Sequence, residues 1–398
     1  MADTLKPRDA RDAEAAVQWA LAEGKTLDVL GHGSKRGIGR AAQWDLSLDL
    51  SALSGVTLYE PEELILSARA GTPLAEIESL LAAHNQELAF EPIDYGAVFG
   101  ALPGRGTIGG VLAANASGPR RIKAGAARDH FLGFTAVSGR GAAFKSGGRV
   151  VKNVTGYDLC KVLAGSWGTL AVMTDVTVKV LPRAETEQSV LVLGLDDVGA
   201  ARAMSLAMNS SNDVSAAAHF PAPLAATIQA EAGTAVTALR LEGVAPSVQH
   251  RRQALEALLE SFGPLIAWDE QDSRALWASV RNVAPFAGDD RALWRISTAP
   301  SRGHAVAAAI GEGEHYFDWS GGLIWAALPA AGDAGAARLR AALGGEGHAT
   351  LVRAPAAIRA AVPVFEPQPA DVAALTRRIK ESFDPKGVLS PGRMYAGV

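Results

Sequence analysis

Residues 106–118 read GTIGGVLAANASG, and the longer run around them, PGRGTIGGVLAANASGPRR (103–121), decides how the chain is read. Gly104, Gly106, Gly109, Gly110 and Gly118 are interleaved with Ala113, Ala114, Ala116 and Ser117. Small residues at this density let the backbone lie against a large flat ligand over a long path. Glycine also permits close approach and backbone conformations closed to other residues. A plain surface turn has no need to exclude side chains for so long.

An earlier loop, GHGSKRGIGR (31–40), follows the short apolar strand TLDVLG (26–31). Its glycines, Gly31, Gly33 and Gly37, miss the dinucleotide spacing by one residue. No amphipathic helix opens after them, so no helix dipole would meet a pyrophosphate there. No Gly-Lys-Ser/Thr closes the loop, which excludes a P-loop. Two readings stay open for it: a plain turn, or a concave nest of backbone N–H groups that holds an anion.

Bulk properties set the limits. The chain has 398 residues, enough for two or three domains. Its net charge of −4 gives no basic excess, which argues against nucleic acid as a partner. No apolar run reaches membrane-span length, and MADTLKPRDARDAEAA lacks the apolar core of a secretory signal. One cysteine, Cys160, allows neither an internal disulfide nor a Cys-ligated cluster held by this chain alone. A reducing, cytosolic compartment is the expectation. The Asn-x-Ser/Thr triplets at Asn115, Asn153 and Asn209 are then not expected to be glycosylated.

Periodicity supplies the outline. Residues 9–23 read as a helix closed by Gly24, and 64–71 as a strand. Thr72 and Pro73 are expected to open a helix carrying Leu74, Ile77, Leu80 and Leu81. Residues 170–181 alternate strictly, with Leu170, Val172, Thr174, Val176, Val178 and Val180 on one face of a strand. Beyond Pro182 strands and helices alternate: strands at 189–195, 235–243 and 293–298, helices near 197–208, 246–262 and 302–310, and a hairpin through Ser320-Gly321-Gly322. The second half reads as an α+β domain, two βαβ-type halves of a ferredoxin-like sheet. A helix near 369–383 leads into a turn-rich tail.

GTIGGVLAANASG (106–118), RDHFLGF (128–134) and VVKNVTGYDLCKVLAGSWGTLAVMTDVTVKVLP (150–182) resemble the FAD-binding domain of the vanillyl-alcohol-oxidase-type flavoproteins. Within that group they are similar to the glycolate and D-lactate dehydrogenase branch, and most similar to the FAD-binding E subunits of glycolate oxidase. The tail DPKGVLSPGRMY (384–395) matches the branch, with Ser390 where asparagine is usual. The resemblance implies an α+β fold: a PCMH-type FAD-binding domain of two α+β subdomains (1–183), a ferredoxin-like α+β cap (184–368), and a C-terminal helix and tail (369–398) that return to the first domain.

It further implies that Gly31, His32, Gly33, Ser34 and Lys35 wrap the FAD pyrophosphate. Thr107, Ile108, Gly109 and Gly110 continue along it, with Asn115 and Gly118 nearby and Val172 toward the adenine. His32 stands in the loop that carries the flavin-linking histidine of covalent relatives, but at an uncertain offset, and non-covalent FAD is the expectation. In relatives the stretch VVKNVTGYDL (150–159) faces the flavin, which brings in Asn153 and Tyr157.

Flavin chemistry needs positive charge near the pyrimidine end of the ring and a base for the substrate hydroxyl. Lys152 is the first candidate for the charge and Arg393 the second, with Tyr157 returned toward Lys152 by a turn at Gly156. Relatives that oxidise 2-hydroxy acids carry a His-x-His segment and a later Glu-His. None of the eight histidines here forms His-x-His, and Glu314-His315 sits among aromatic residues at strand spacing. No metal site is expected. His348 matches an E-subunit motif but receives no role. Electrons must also leave, so the resemblance implies partners: a catalytic flavoprotein D subunit and an iron–sulfur F subunit of glycolate oxidase, which would supply any membrane association. The competing readings are a self-sufficient 2-hydroxy-acid dehydrogenase and a flavin-carrying assembly subunit.

Overall fold

The computed structural model describes residues 3–148, 156–228 and 233–398. At the start lie β1 (Asp3–Leu5), α1 (Ala10–Ala22), β2 (Leu27–Leu30) and β3 (Leu46–Asp49). The Asp9 carboxylate accepts from Asp12 N–H and opens α1, which buries Ala13, Val17 and Ala20. The three strands are parallel, in the order β1-β3-β2. The C-terminal tail adds to the free side of β2: Leu27 N–H donates to Val388 O, and Ser390 N–H donates to Leu27 O.

A second, antiparallel sheet comprises β4 (Val56–Glu60), β5 (Ile65–Arg69), β6 (Phe131–Ser138), β7 (Ala143–Gly147) and β8 (Ala171–Lys179), in the order β4-β5-β8-β6-β7. The alternation expected for β8 is present, yet Ala171, Val172, Met173 and Thr174 are all buried. Both faces of the strand's first half meet protein. Two helices flank the sheet, α2 (Leu74–Ala82) and α3 (Ile108–Ala114). Pro73, not Thr72, stands at the α2 N-cap. The Thr72 hydroxyl instead donates to Arg69 O (2.7 Å) and accepts from Gly55 N–H (2.9 Å), tying two loops together.

Beyond residue 183 the chain forms one eight-stranded antiparallel sheet. Its strands are β9 (Thr186–Leu193), β10 (Ala216–Phe220), β11 (Val236–Gly243), β12 (Leu265–Trp268), β13 (Ala292–Thr298), β14 (Glu314–Asp318), β15 (Leu323–Leu328) and β16 (Gly347–Arg353). The order is β12-β9-β11-β10-β14-β15-β13-β16. With α4 (Asp197–Met208) and α5 (Ala245–Leu259) the first four strands make a βαββαβ unit. With α7 (Gly303–Ala307) and α8 (Ala336–Leu343) the last four make another. The two ferredoxin-like halves meet edge to edge at His219 and Phe317. Period-two alternation then splits the side chains. Trp294, Ile296, Phe317 and Ile324 pack with the helices, while Leu293, Tyr316, Leu323 and Trp325 join the core of the N-terminal half. Helix α6 (Glu270–Arg281) lies on this second face, where Trp277 Nε1 donates to Ser189 Oγ.

An ion network crosses the same junction. Arg240 of β11 is 1% exposed and donates to both oxygens of Glu91 (2.7 and 3.0 Å). Arg120 ties Glu87 and Glu242 into the cluster. Burial pushes the Glu91 carboxyl up, but the Arg240 and Arg120 charges outweigh it and hold it at about 2. The last helix, α9 (Ala370–Phe383), ends at a buried pair, Lys380 and Asp384 (2.7 Å).

Candidate functional site

A cleft enclosing about 690 Å³ of empty space, part of it open to solvent, lies where the parallel strands, α3 and β8 converge. The loop after β2 forms one wall with Gly31, His32, Gly33, Ser34 and Lys35. Thr107, Gly109 and Gly110 come from the start of α3, and Arg393 from the tail. Leu50, Ala70, Ala113, Trp167 and Met173 give the rest an apolar lining.

Local sequence explains why backbone is presented here. Gly33 has φ +76°, a conformation that favours glycine. A Cβ on Gly31 would stand 2.7 Å from Thr107 Oγ1, and one on Gly109 would stand 2.7 Å from the Ala70 Cβ. Among the described residues, no backbone N–H of residues 32–35 donates to a protein acceptor. Thr107 Oγ1 accepts from Gly110 N–H and caps α3. The small-residue stretch, to which sequence patterns assigned no helix, contains one of seven residues, 108–114, held by that cap and by close packing on Ala70.

Charge is concentrated in this loop. Lys35 is 8% exposed, and among the described residues its ammonium has a single long contact, 3.5 Å to Ser34 Oγ. Burial pulls its pKa down to about 8; Asp94 opposes the shift and Arg393 adds to it. Arg393 is itself buried. It donates to Asp28 Oδ1 and to Lys35 O (both 3.2 Å), and burial lowers its pKa.

The structure sorts the sequence candidates. Gly31, His32, Gly33, Ser34, Lys35, Thr107, Gly109, Gly110 and Arg393 meet in the cleft. Ile108 and Val172 do not line it: both are fully buried, Val172 among Val17, Ala20 and Leu27. Its neighbours Ala171 and Met173 face the cleft instead, because successive strand residues point to opposite sides. Asn115 ends α3 in the left-handed region (φ 48°), and its Oδ1 accepts from Arg128 N–H. Gly118 packs on Glu91 O, and its own carbonyl accepts from Trp319 Nε1 (2.9 Å). Tyr157 is 90% exposed, outside the cleft lining. Lys152 and Asn153 lie outside the described residues.

Sequence reading missed Trp167 and Gly168. Both have positive φ, in the turn that feeds β8. The segment SWGT carried the signal, a glycine immediately before an alternating run.

An apolar slot with unpartnered backbone donors and a buried ammonium at one end suits a dinucleotide: the diphosphate meets the donors, and the flat parts meet the apolar wall. The FAD binding domain family matches residues 2–147. Glycolate oxidase subunit GlcE of Escherichia coli (strain K12) is 32% identical over 381 residues, covering 96% of this chain and 95% of that protein. The chain belongs to the GlcE family of glycolate oxidase subunits. GlcE-family membership makes it an FAD-binding protein of the FAD-linked oxidoreductases. More distant relatives match over less of their length. Glycolate oxidase subunit GlcD of Bacillus subtilis (strain 168) is 37% identical over 118 residues, 30% of this chain and 24% of that protein. A D-lactate dehydrogenase of Archaeoglobus fulgidus is 31% identical over 183 residues, 45% and 38% respectively. Among solved structures, p-cresol methylhydroxylase with bound substrate superposes with a TM-score of 0.72 at 12% identity, covering 98% of this chain and 88% of that one. That likeness shows the fold, the PCMH-type FAD-binding fold. No helix among the described residues is long and apolar enough to cross a membrane.

Proposed function

We propose that this chain is the FAD-binding subunit of a heteromeric glycolate oxidase, supporting oxidation of glycolate to glyoxylate. Similarity to GlcE along nearly the whole of both chains carries the reading. FAD, held non-covalently, would supply a redox centre in this chain. The partners are a catalytic D-type flavoprotein and an F-type iron–sulfur subunit that carries electrons away. On this reading residues 1–183 form the FAD-binding unit, 184–368 the cap and 369–398 the returning tail. Gly31 to Lys35 hold the diphosphate with Thr107, Gly109 and Gly110, and Arg393 buttresses the loop by bonding Lys35 O.

The test is a purified chain and an assembled complex. The chain alone is expected to copurify with flavin and to keep its oxidised visible spectrum when glycolate is added anaerobically. The complex with its D and F partners is expected to reduce flavin with glycolate. Bleaching of the isolated chain by glycolate would make it a self-sufficient dehydrogenase, and a chain unable to bind flavin would overturn the reading entirely.

Lys35 yields a prediction with two opposite signs. Its folded pKa is about 8, below the ordinary lysine value of 10.5. The stability that this shift contributes to the flavin-free protein is present above pH ~10.5 and lost as pH falls through ~8. FAD needs the charged form. Lys35→Met is therefore expected to raise the melting temperature of the apoprotein at pH 7 while weakening FAD binding by about tenfold or more. FAD affinity of the unmutated chain is expected to fall above pH 8, and that of Lys35→Met to stay flat. A flat profile in both proteins would remove Lys35 from the diphosphate.

A further inference from the structure

The junction of the two halves carries an arginine pair, Arg121 from the N-terminal half and Arg295 from the cap, that makes no salt bridge among the described residues. Arg121 and Arg295 both lie over the Trp319 indole, with guanidinium carbons 4.3 and 4.9 Å from the ring centre. Trp319 is 3% exposed and tethered through Nε1 to Gly118 O. The turn that holds it is strained: Trp319 and Ser320 both have positive φ, at 52° and 57°. Neither guanidinium makes a salt bridge or hydrogen bond among the described residues, whereas Arg120 and Arg240 close by are saturated with carboxylates. Burial lowers the pKa of both; the Arg295 charge adds to the shift at Arg121, while Tyr95 and Asp318 oppose it at Arg295.

Two partly buried like charges over one ring are costly unless an anion joins them. Their edges remain open, since both residues are only partly covered. Arg295 sits on β13 opposite Thr350, and Ser297 sits opposite His348, which places a hydroxyl and an imidazole on the adjoining strand positions. The place is also informative. Gly118 follows α3, whose first turn lines the cleft and whose seven residues run about 10 Å away from it.

We propose that Arg121 and Arg295, stacked over Trp319, form a subsite for the carboxylate of a small organic acid. Guanidinium forks match a carboxylate in geometry and charge, and the indole fixes their planes. The inference rests on the glycolate oxidase reading only for which acid is the natural ligand.

The test uses the FAD-loaded chain by itself, titrated anaerobically with acetate, glycolate and ethylene glycol and followed by calorimetry and the flavin difference spectrum. Saturable binding of acetate and glycolate, and none of ethylene glycol, is expected. Arg121→Gln and Arg295→Gln should each weaken carboxylate binding by about tenfold or more, with FAD content unchanged, and Arg295→Lys should recover part of the loss. Equal affinity in the unmutated chain and both Gln variants would overturn the subsite, as would loss of FAD with unaltered carboxylate affinity or no saturable binding at all. The two readings fail separately. A complex inactive toward glycolate, beside an isolated chain with arginine-dependent acetate binding, sinks the glycolate oxidase reading and keeps the subsite. An active complex whose KM for glycolate ignores both arginines does the reverse.

Discussion

Asp384→Ala is expected to lower the stability of the chain by about 3–5 kcal/mol, the cost of breaking a buried ion pair, and to loosen FAD. Lys380 is 4% exposed and Asp384 is 2% exposed. The ammonium donates to Asp384 Oδ2 (2.7 Å), Thr169 O (2.7 Å) and Leu389 O (2.8 Å), so its three protons are all used. The carboxylate also accepts from Val388 N–H (2.9 Å) and Leu389 N–H (2.8 Å). Removing it strands a buried cation and two backbone donors at once. The consequence reaches the cleft because Val388 and Ser390 zip the tail to β2, and Arg393 follows three residues later. Urea unfolding and flavin release, measured on the same sample, should shift together. Asp384→Asn, which keeps one of the two acceptor oxygens, should lose less. An unchanged urea midpoint in Asp384→Ala would mean that the tail is not anchored this way.

Arg240→Met is expected to cost about the same, 3–5 kcal/mol near neutral pH, with a pH signature of its own. The guanidinium lies over Trp277 and faces Glu91, Glu242 and Glu187. Burial pulls its pKa down, but Glu91 and Glu242 outweigh burial and raise it. Glu91 has its folded pKa depressed to about 2 from 4.5. The stability it contributes is present above pH ~4.5 and lost as pH falls through ~2. In Arg240→Met that carboxyl loses its strongest partner and stays buried, so it protonates more easily. The stability gap between the two proteins should therefore be widest near pH 7 and narrow as pH falls through the carboxylate range. Thermal unfolding at a series of pH values measures it. A gap that does not vary with pH would assign the loss to packing on Trp277 rather than to charge. Because the network joins β11 to Glu91 and Arg120, the variant should also separate the unfolding of the N-terminal half from that of the eight-stranded sheet.

Much of this was legible locally. The alternation of residues 170–181, the stop at Gly24, the two-fold succession of strands and helices after residue 183 and the glycine-rich loops are all short-range patterns. The elements they predict form where expected. The misreadings have physical causes as well. Helix α3 contains Gly109 and Gly110, poor helix formers, and it exists because Thr107 caps it and Ala70 leaves no room for a side chain. Thr72 has an N-cap residue type, but its hydroxyl finds acceptors across two loops and leaves the helix to start one residue later.

Sequence by itself determined the strands and helices of the second half and the glycine-rich loops, because those depend on residue size and on periods of two and 3.6 along the backbone, while the FAD-binding class was carried by the motifs shared with the vanillyl-alcohol-oxidase-type flavoproteins. Tertiary structure alone decided which face of each element meets which neighbour. The resemblance implied Val172 at the cofactor, but β8 turns Ala171 and Met173 to the cleft and Val172 into the core beneath the parallel strands. Arg121 and Arg295 are 174 positions apart, and nothing local announces that they converge on one indole. Nor does the tail show by its composition that Lys380 and Asp384 would be buried together. Periodicity is written along the chain, whereas desolvation and charge pairing arise only when distant segments close on one another.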